Sequence, residues 1–134
     1  MAETLTIDLN KIYSAWAKYV KSNSKATEFS MLGDGTVATF PHANLRMVGN
    51  PAASIDLDND ECTWNLTFQT ICYIDNPNDK RVLMLYEMDT ACRKFFIGLG
   101  FRKMGESTPY IRDKVASLTS RFVMPHYNGI IENL

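Results

Sequence analysis

The chain is poor in the features that announce most chemistries. Three cysteines, Cys62, Cys72 and Cys92, occur in 134 residues, and no two stand in a C-x-x-C spacing. So sparse and odd a set excludes a secreted disulfide scaffold and points to a reducing compartment. Neither charge sign dominates. Fourteen Lys+Arg against fifteen Asp+Glu leave a net charge of −1, which argues against a strongly basic nucleic-acid binder. No apolar run approaches the roughly 18 residues of a membrane span, and MAETLTIDLN has neither the basic start nor the apolar centre of a secretory leader. The P-loop, G-x-G-x-x-G and G-x-S-x-G patterns are all missing, so phosphate cradles and nucleophile elbows have no support.

What is present is ordinary globular composition. Hydrophobic residues make up 46% and charged residues 22%, in a length that suits one domain spanning 1–134. Such a chain can bury about two-thirds of its unfolded surface.

Leu5, Leu9, Ile12, Trp16 and Val20 fall on one helical stripe, widened by Tyr13, Ala17 and Tyr19, and predict a helix over Leu5–Val20. Thr6 or Asp8 could cap it. Lys21–Glu28 reads as a polar connector and Gly33-Asp34-Gly35 as a tight turn. Thr36–Phe40 and Asn44–Val48 read as short strands broken by Pro41, and Gly49–Glu61 as loop.

From Cys62 to Ile74 apolar and polar residues alternate, the mark of a half-buried antiparallel strand. At about 3.3 Å per residue it would run roughly 40 Å, far beyond the usual strand. It must therefore bend through a bulge or begin as an arm, around 49–64, that projects from the domain body. A helix over Asp79–Leu99 follows, with Asn78 or Asp79 as N-cap and Gly100 at C′. Val82, Leu85, Met88, Cys92, Phe95 and Leu99 form its main stripe. Leu83, Met84, Ala91 and Phe96 leave little of it fully polar, which predicts burial on more than one side and suggests a partner. Phe101–Glu106 and Val115–Met124 make a last strand pair across the loop Ser107–Lys114. The expected fold is α+β: an antiparallel sheet of four to five strands with two helices packed on one face.

The motifs weigh little. Asp56-x-Asp58-x-Asp60 opens like a calcium loop, but Glu61 stands where the turn glycine belongs and Thr67 where the closing Glu belongs. His42 and His126 each neighbour a proline and have no ligand at a metal spacing. Cys92 sits among apolar residues, which raises a thiol pKa and makes a poor nucleophile. Glu87 and Asp89, two apart on a helix, point in different directions. No catalytic residue, metal or cofactor is expected.

The charges are segregated. Residues 51–74 hold four acids and no base, whereas 75–134 hold nine bases against seven acids. The bland reading is solvated surface. The sharper one sets an acidic arm (Asp56, Asp58, Asp60, Glu61) against a basic set (Arg93, Lys94, Arg102, Lys103) on a neighbouring subunit. Met84 or Phe96 would then approach other structure, while Leu85, Cys92 and Phe95 cover the sheet.

In order and length the chain resembles the tail terminator (tail completion) proteins of long-tailed bacteriophages and phage-tail-like particles. The N-terminal helix, Phe40-Pro41-His42-Ala43-Asn44-Leu45-Arg46-Met47 and Phe68-Gln69-Thr70-Ile71-Cys72-Tyr73 carry the resemblance. Gly98-Leu99-Gly100-Phe101-Arg102-Lys103-Met104 and Leu118-Thr119-Ser120-Arg121-Phe122 complete it. The resemblance implies no catalytic residue. It implies a ring of this chain, usually six subunits, that caps the finished tail tube and presents a surface to the head connector or neck proteins. DNA would cross its lumen without specific binding. The place would be the virion, after assembly in the host cytoplasm, with no membrane involved. Two alternatives stand beside it. One is another neck or head-completion protein. The other is a small ligand-binding or enzymatic domain with a pocket between sheet and helices, for which Tyr73, Tyr86, His42 and Asp89 are the loose candidates.

Overall fold

The computed structural model describes residues 9–31, 39–49, 52–55, 61–105 and 107–127. In chain order these form α1 (Leu9–Asn23), β1 (Glu28–Ser30), β2 (His42–Gly49), β3 (Ala52–Ile55), β4 (Glu61–Asp75), α2 (Asp79–Gly98), β5 (Arg102–Met104), β6 (Tyr110–Arg112) and β7 (Val115–Tyr127).

The seven strands make one sheet in the order β1-β2-β4-β7-β5. Both central strands are long, and each has an outer edge shared by two partners. β2 pairs with β4 as far as Thr67, and β3 takes over from Trp64 to Glu61. β5 covers Arg121–Val123 of β7, and β6 covers Val115–Ser117. The fold is α+β as expected. The sheet, however, has seven strands rather than four to five, and it is mixed, because β1 runs parallel to β2. The unforeseen strands β1, β3 and β6 are three or four residues long, too short for a period of two to show. The stretch read as loop after Gly49 thus contains β3, and the loop after Ser107 contains β6. Asp113 and Lys114 both have positive φ (52° and 64°), which closes β6 onto β7 as a primed two-residue hairpin.

The long strand was well marked by its alternation. β4 extends the predicted Cys62–Ile74 by one residue at each end, with a register shift between Trp64 and Leu66. Its start is laddered between β3 and the end of β7. In the stretch expected to project, residues 50–51 and 56–60 lie outside the described residues, as do the Gly33-Asp34-Gly35 turn, Thr36–Ala38, and Thr6 and Asp8. Thr39 and Phe40 form a bend rather than a strand end.

Leu66, Phe68, Cys72 and Ile74 of β4 line the buried face, with Ala43 and Leu45 on one side and Ala116, Leu118 and Phe122 on the other. Both helices lie on this face. Asn78 caps α2 by accepting from the Arg81 N–H at 3.0 Å, and Gly100, at φ 99°, turns the chain into β5. Phe96 of α2 stacks on Phe68 and Phe122, with centroids 5.6 and 5.0 Å away. Ile12, Trp16 and Val20 of α1 are buried as their spacing predicts. Trp16 meets Phe29 of β1 edge-on and donates its indole N–H to Cys92 Sγ at 3.4 Å.

Two expectations for α2 need correction. Phe96, assigned to an outside contact, is fully buried in the core of its own subunit. Phe95, assigned to the sheet, is half-buried and faces Tyr19 of α1 at 5.9 Å. The reason is helical phase. Met88, Cys92 and Phe96 follow each other at four-residue steps down the sheet-facing line, and one residue back is about 100° round the helix. Much of the second apolar side of α2 is therefore covered by α1 of the same chain, and Met84, half-buried, packs against that core.

Candidate functional site: the open face of the sheet

Strand geometry sends alternate side chains to the face away from both described helices, and opposed residues on neighbouring strands share that face. Three rows of the ladder stand out there. Glu28, His42, Tyr73, Ser117 and Tyr110 form one, and Ser30, Asn44, Ile71 and Thr119 the next. Arg46, Gln69, Arg121 and Met104 form the third.

The first two rows are tied together by polar contacts. Ser30 Oγ and His42 Nε2 share a hydrogen bond of 2.8 Å, and Asn44 Nδ2 donates to the same hydroxyl at 2.8 Å. Tyr73 meets the His42 ring edge-on at 6.0 Å. Burial lowers the His42 pKa, against a smaller upward pull from Glu28. Burial raises that of Tyr73, opposed by the positive charge of Arg46.

The third row is cationic. Arg121 Nε donates to Gln69 Oε1 at 3.0 Å, and Gln69 is only 4% exposed between its two arginine neighbours. Arg46 and Arg121 are both exposed, and their backbones lie two strand spacings apart, about 10 Å. Arg102, also exposed, opposes Val123 and so stands diagonally beside Arg121, at about 7–8 Å. Among the described residues, the Arg46–Gln69–Arg121–Met104 row and the Arg102–Val123–Thr67 row hold no carboxylate, while Glu28 stands two rows away at the head of the first. Asp75, further along β4, is paired with Arg81.

The residues expected to carry interaction are divided by the fold. Arg93 and Lys94 are exposed on α2, on the other layer from Arg102. Lys103 opposes Phe122 and so turns to the helix side, while its neighbour Arg102 turns to the open face. Glu61 begins β4 opposite Ile55, and Asp56, Asp58 and Asp60 lie outside the described residues. Arg46, Gln69 and Arg121 were not singled out in advance. Alternation alone puts Gln69 and Arg121 off the core face, but their being neighbours depends on the β4–β7 register.

The four loose pocket candidates also fall apart. His42 and Tyr73 are on the open face. Asp89 is buried beneath α2, accepting from Ser120 Oγ at 2.6 Å. Tyr86 lines a groove of about 430 Å³ on the outer side of α2, with Tyr19 and Asn23 of α1, Leu83, Glu87 and Lys94. Phe68, Phe96, Phe101 and Phe122 pack ring against ring where α2 meets the sheet. Cys72 is fully buried, and its thiol pKa is pushed well up by the hydrogen bond with Cys92 and by burial.

No group of three or more His, Cys, Asp or Glu suited to a metal ion occurs among the described residues, and no described helix is long and apolar enough to cross a membrane. Compared with known proteins, the chain matches no family model and no curated protein.

Proposed function

We propose that the chain is a structural virion protein of the tail terminator kind, a ring that stops growth of a phage tail tube and joins the tail to the head. A closed ring built from one chain needs two different surfaces on each subunit, each meeting the other kind on the next copy. The observation that carries the reading is the pair of unlike sets of exposed side chains that the described residues present on opposite layers of the domain. One is the outer side of α2, where Leu83, Tyr86 and Ile97 are 63%, 42% and 51% exposed. The other is the open sheet face with Arg46, Arg102 and Arg121. Scattering of the pocket candidates over three places further favours assembly over small-molecule chemistry.

The reading is tested by negative-stain imaging of tails assembled with and without the protein. Expected are tubes of uniform length that join heads only when it is present. Tubes that stop at normal length and join heads in its absence would refute the proposal.

A further inference from the structure

We infer that the outer side of α2 is a two-fold contact between two copies of this chain, with the two helices antiparallel and Thr90 on the axis. The inference goes beyond the ring reading, because a two-fold pair uses the same side of α2 on both copies. At about 100° per residue, Leu83, Tyr86, Glu87, Thr90, Lys94 and Ile97 fall within an arc of about 100°, opposite the core line of Met88, Cys92 and Phe96. Thr90 is half-buried and the other five are exposed. Leu83, Tyr86, Thr90 and Ile97 follow at steps of three, four and seven residues, the spacing of a seam between helices. The groove of about 430 Å³ lies along this stripe, with Tyr19 and Asn23 of α1 as its other wall.

The order of residues along α2 selects both the partner and its direction. Leu83 stands seven residues before Thr90 and Ile97 seven after it. In an antiparallel pair about Thr90, Leu83 of each copy is therefore level with Ile97 of the other, at the end of the groove that Leu83 lines. Glu87 stands three residues before the axis and Lys94 four after it, both on one flank of the stripe. Each copy's Glu87 then comes within about 1.5 Å of the level of the other's Lys94. On the opposite flank Tyr86 and Arg93 meet in the same way, a ring against a guanidinium. Neither Glu87 nor Lys94 has an opposite charge three or four residues away on α2, so each is available to a neighbour. A parallel pair would set Glu87 against Glu87 and Lys94 against Lys94, so charge selects the antiparallel one. One helix from each copy is small beside the roughly 1,200–2,000 Å² of a stable complex, so the pair should part on dilution. While it holds, that side of α2 is withheld from a head-to-tail contact.

The test is charge reversal on the full chain, read by sedimentation equilibrium over a concentration series, with folding checked by circular dichroism. Wild type should pass from monomer to dimer as concentration rises. E87K and K94E should each weaken the dimer about tenfold or more, because each sets like charges across the axis. Their 1:1 mixture should regain it, as should the double variant E87K/K94E. A second readout works even for a weak pair and does not need the charge variants to fold. With Cys62 replaced by Ser, T90C should form a disulfide-linked dimer under oxidised glutathione, since Cys72 and Cys92 are buried. L83C should not, because the axis holds its two copies about 21 Å apart along the helices. No T90C cross-link at about 500 µM chain, whether monomer or ring is then present, overturns the inference and leaves the ring reading standing. Cross-linking of L83C as fast as T90C marks a parallel contact and also overturns it, as does a dimer that does not recover on mixing. A dimer with the expected pattern, from a chain that never caps tubes, upholds the pair and counts against the ring.

Discussion

Ser120 of β7 donates its hydroxyl to the Asp89 carboxylate of α2 at 2.6 Å, and both residues are buried where helix meets sheet. Ser107 adds a further hydroxyl at 3.0 Å from Ser120, so a short polar chain crosses an otherwise apolar layer. A buried carboxylate is tolerated only while donors satisfy it. Ser120→Ala removes one donor and should cost about 1–3 kcal/mol in urea unfolding. A change within 0.5 kcal/mol would show that Asp89 is satisfied by other groups.

Phe96 separates folding from surface in α2. It stacks against both Phe68 and Phe122 with no exposure, so Phe96→Ala should lose about 3–5 kcal/mol of stability. Leu83, one of the most exposed apolar residues, should tolerate Leu83→Ser within about 0.5 kcal/mol. Thermal melts of the two variants check the contrast. A Leu83→Ser chain that is stable yet fails to cap tubes would place this side of α2 at a contact in the ring.

His42 should make stability depend on pH. Burial lowers its pKa in the folded chain below the ordinary 6.5, so the unfolded chain takes up the proton first as pH falls. The unfolded state then binds more protons than the folded one, and stability drops as pH falls below about 6.5. Above that value His42 is neutral in both states and contributes no slope. His42→Gln should flatten the fall between pH 7 and pH 5 in urea titrations, while a drop of unchanged size would assign it to other groups.

The main secondary structure was legible because it is periodic over many residues. Trp16 and its neighbours at four-residue steps mark α1, and alternation through Phe68, Thr70 and Cys72 marks the buried side of β4. Asn78 and Gly100 bound α2 through capping and positive φ, which are local preferences readable from residue type. Segregation of acids into residues 51–74 is likewise a property of the sequence alone.

Tertiary structure decided what those elements touch. Phe95 and Phe96 are equally apolar in sequence, and only the angle at which α2 lies on β4 and β7 sends Phe96 into the core and Phe95 towards Tyr19. Glu28–Ser30, Ala52–Ile55 and Tyr110–Arg112 are strands because a long neighbour supplies their hydrogen bonds, not because their side chains alternate. The cationic face has the same origin. Arg46, Gln69, Arg102 and Arg121 are widely separated in sequence, and Arg102 and Lys103, adjacent in sequence, part to opposite sides of the sheet. A strand's period fixes which side of a sheet a residue takes, but only pairing and register between distant strands determine its neighbours there.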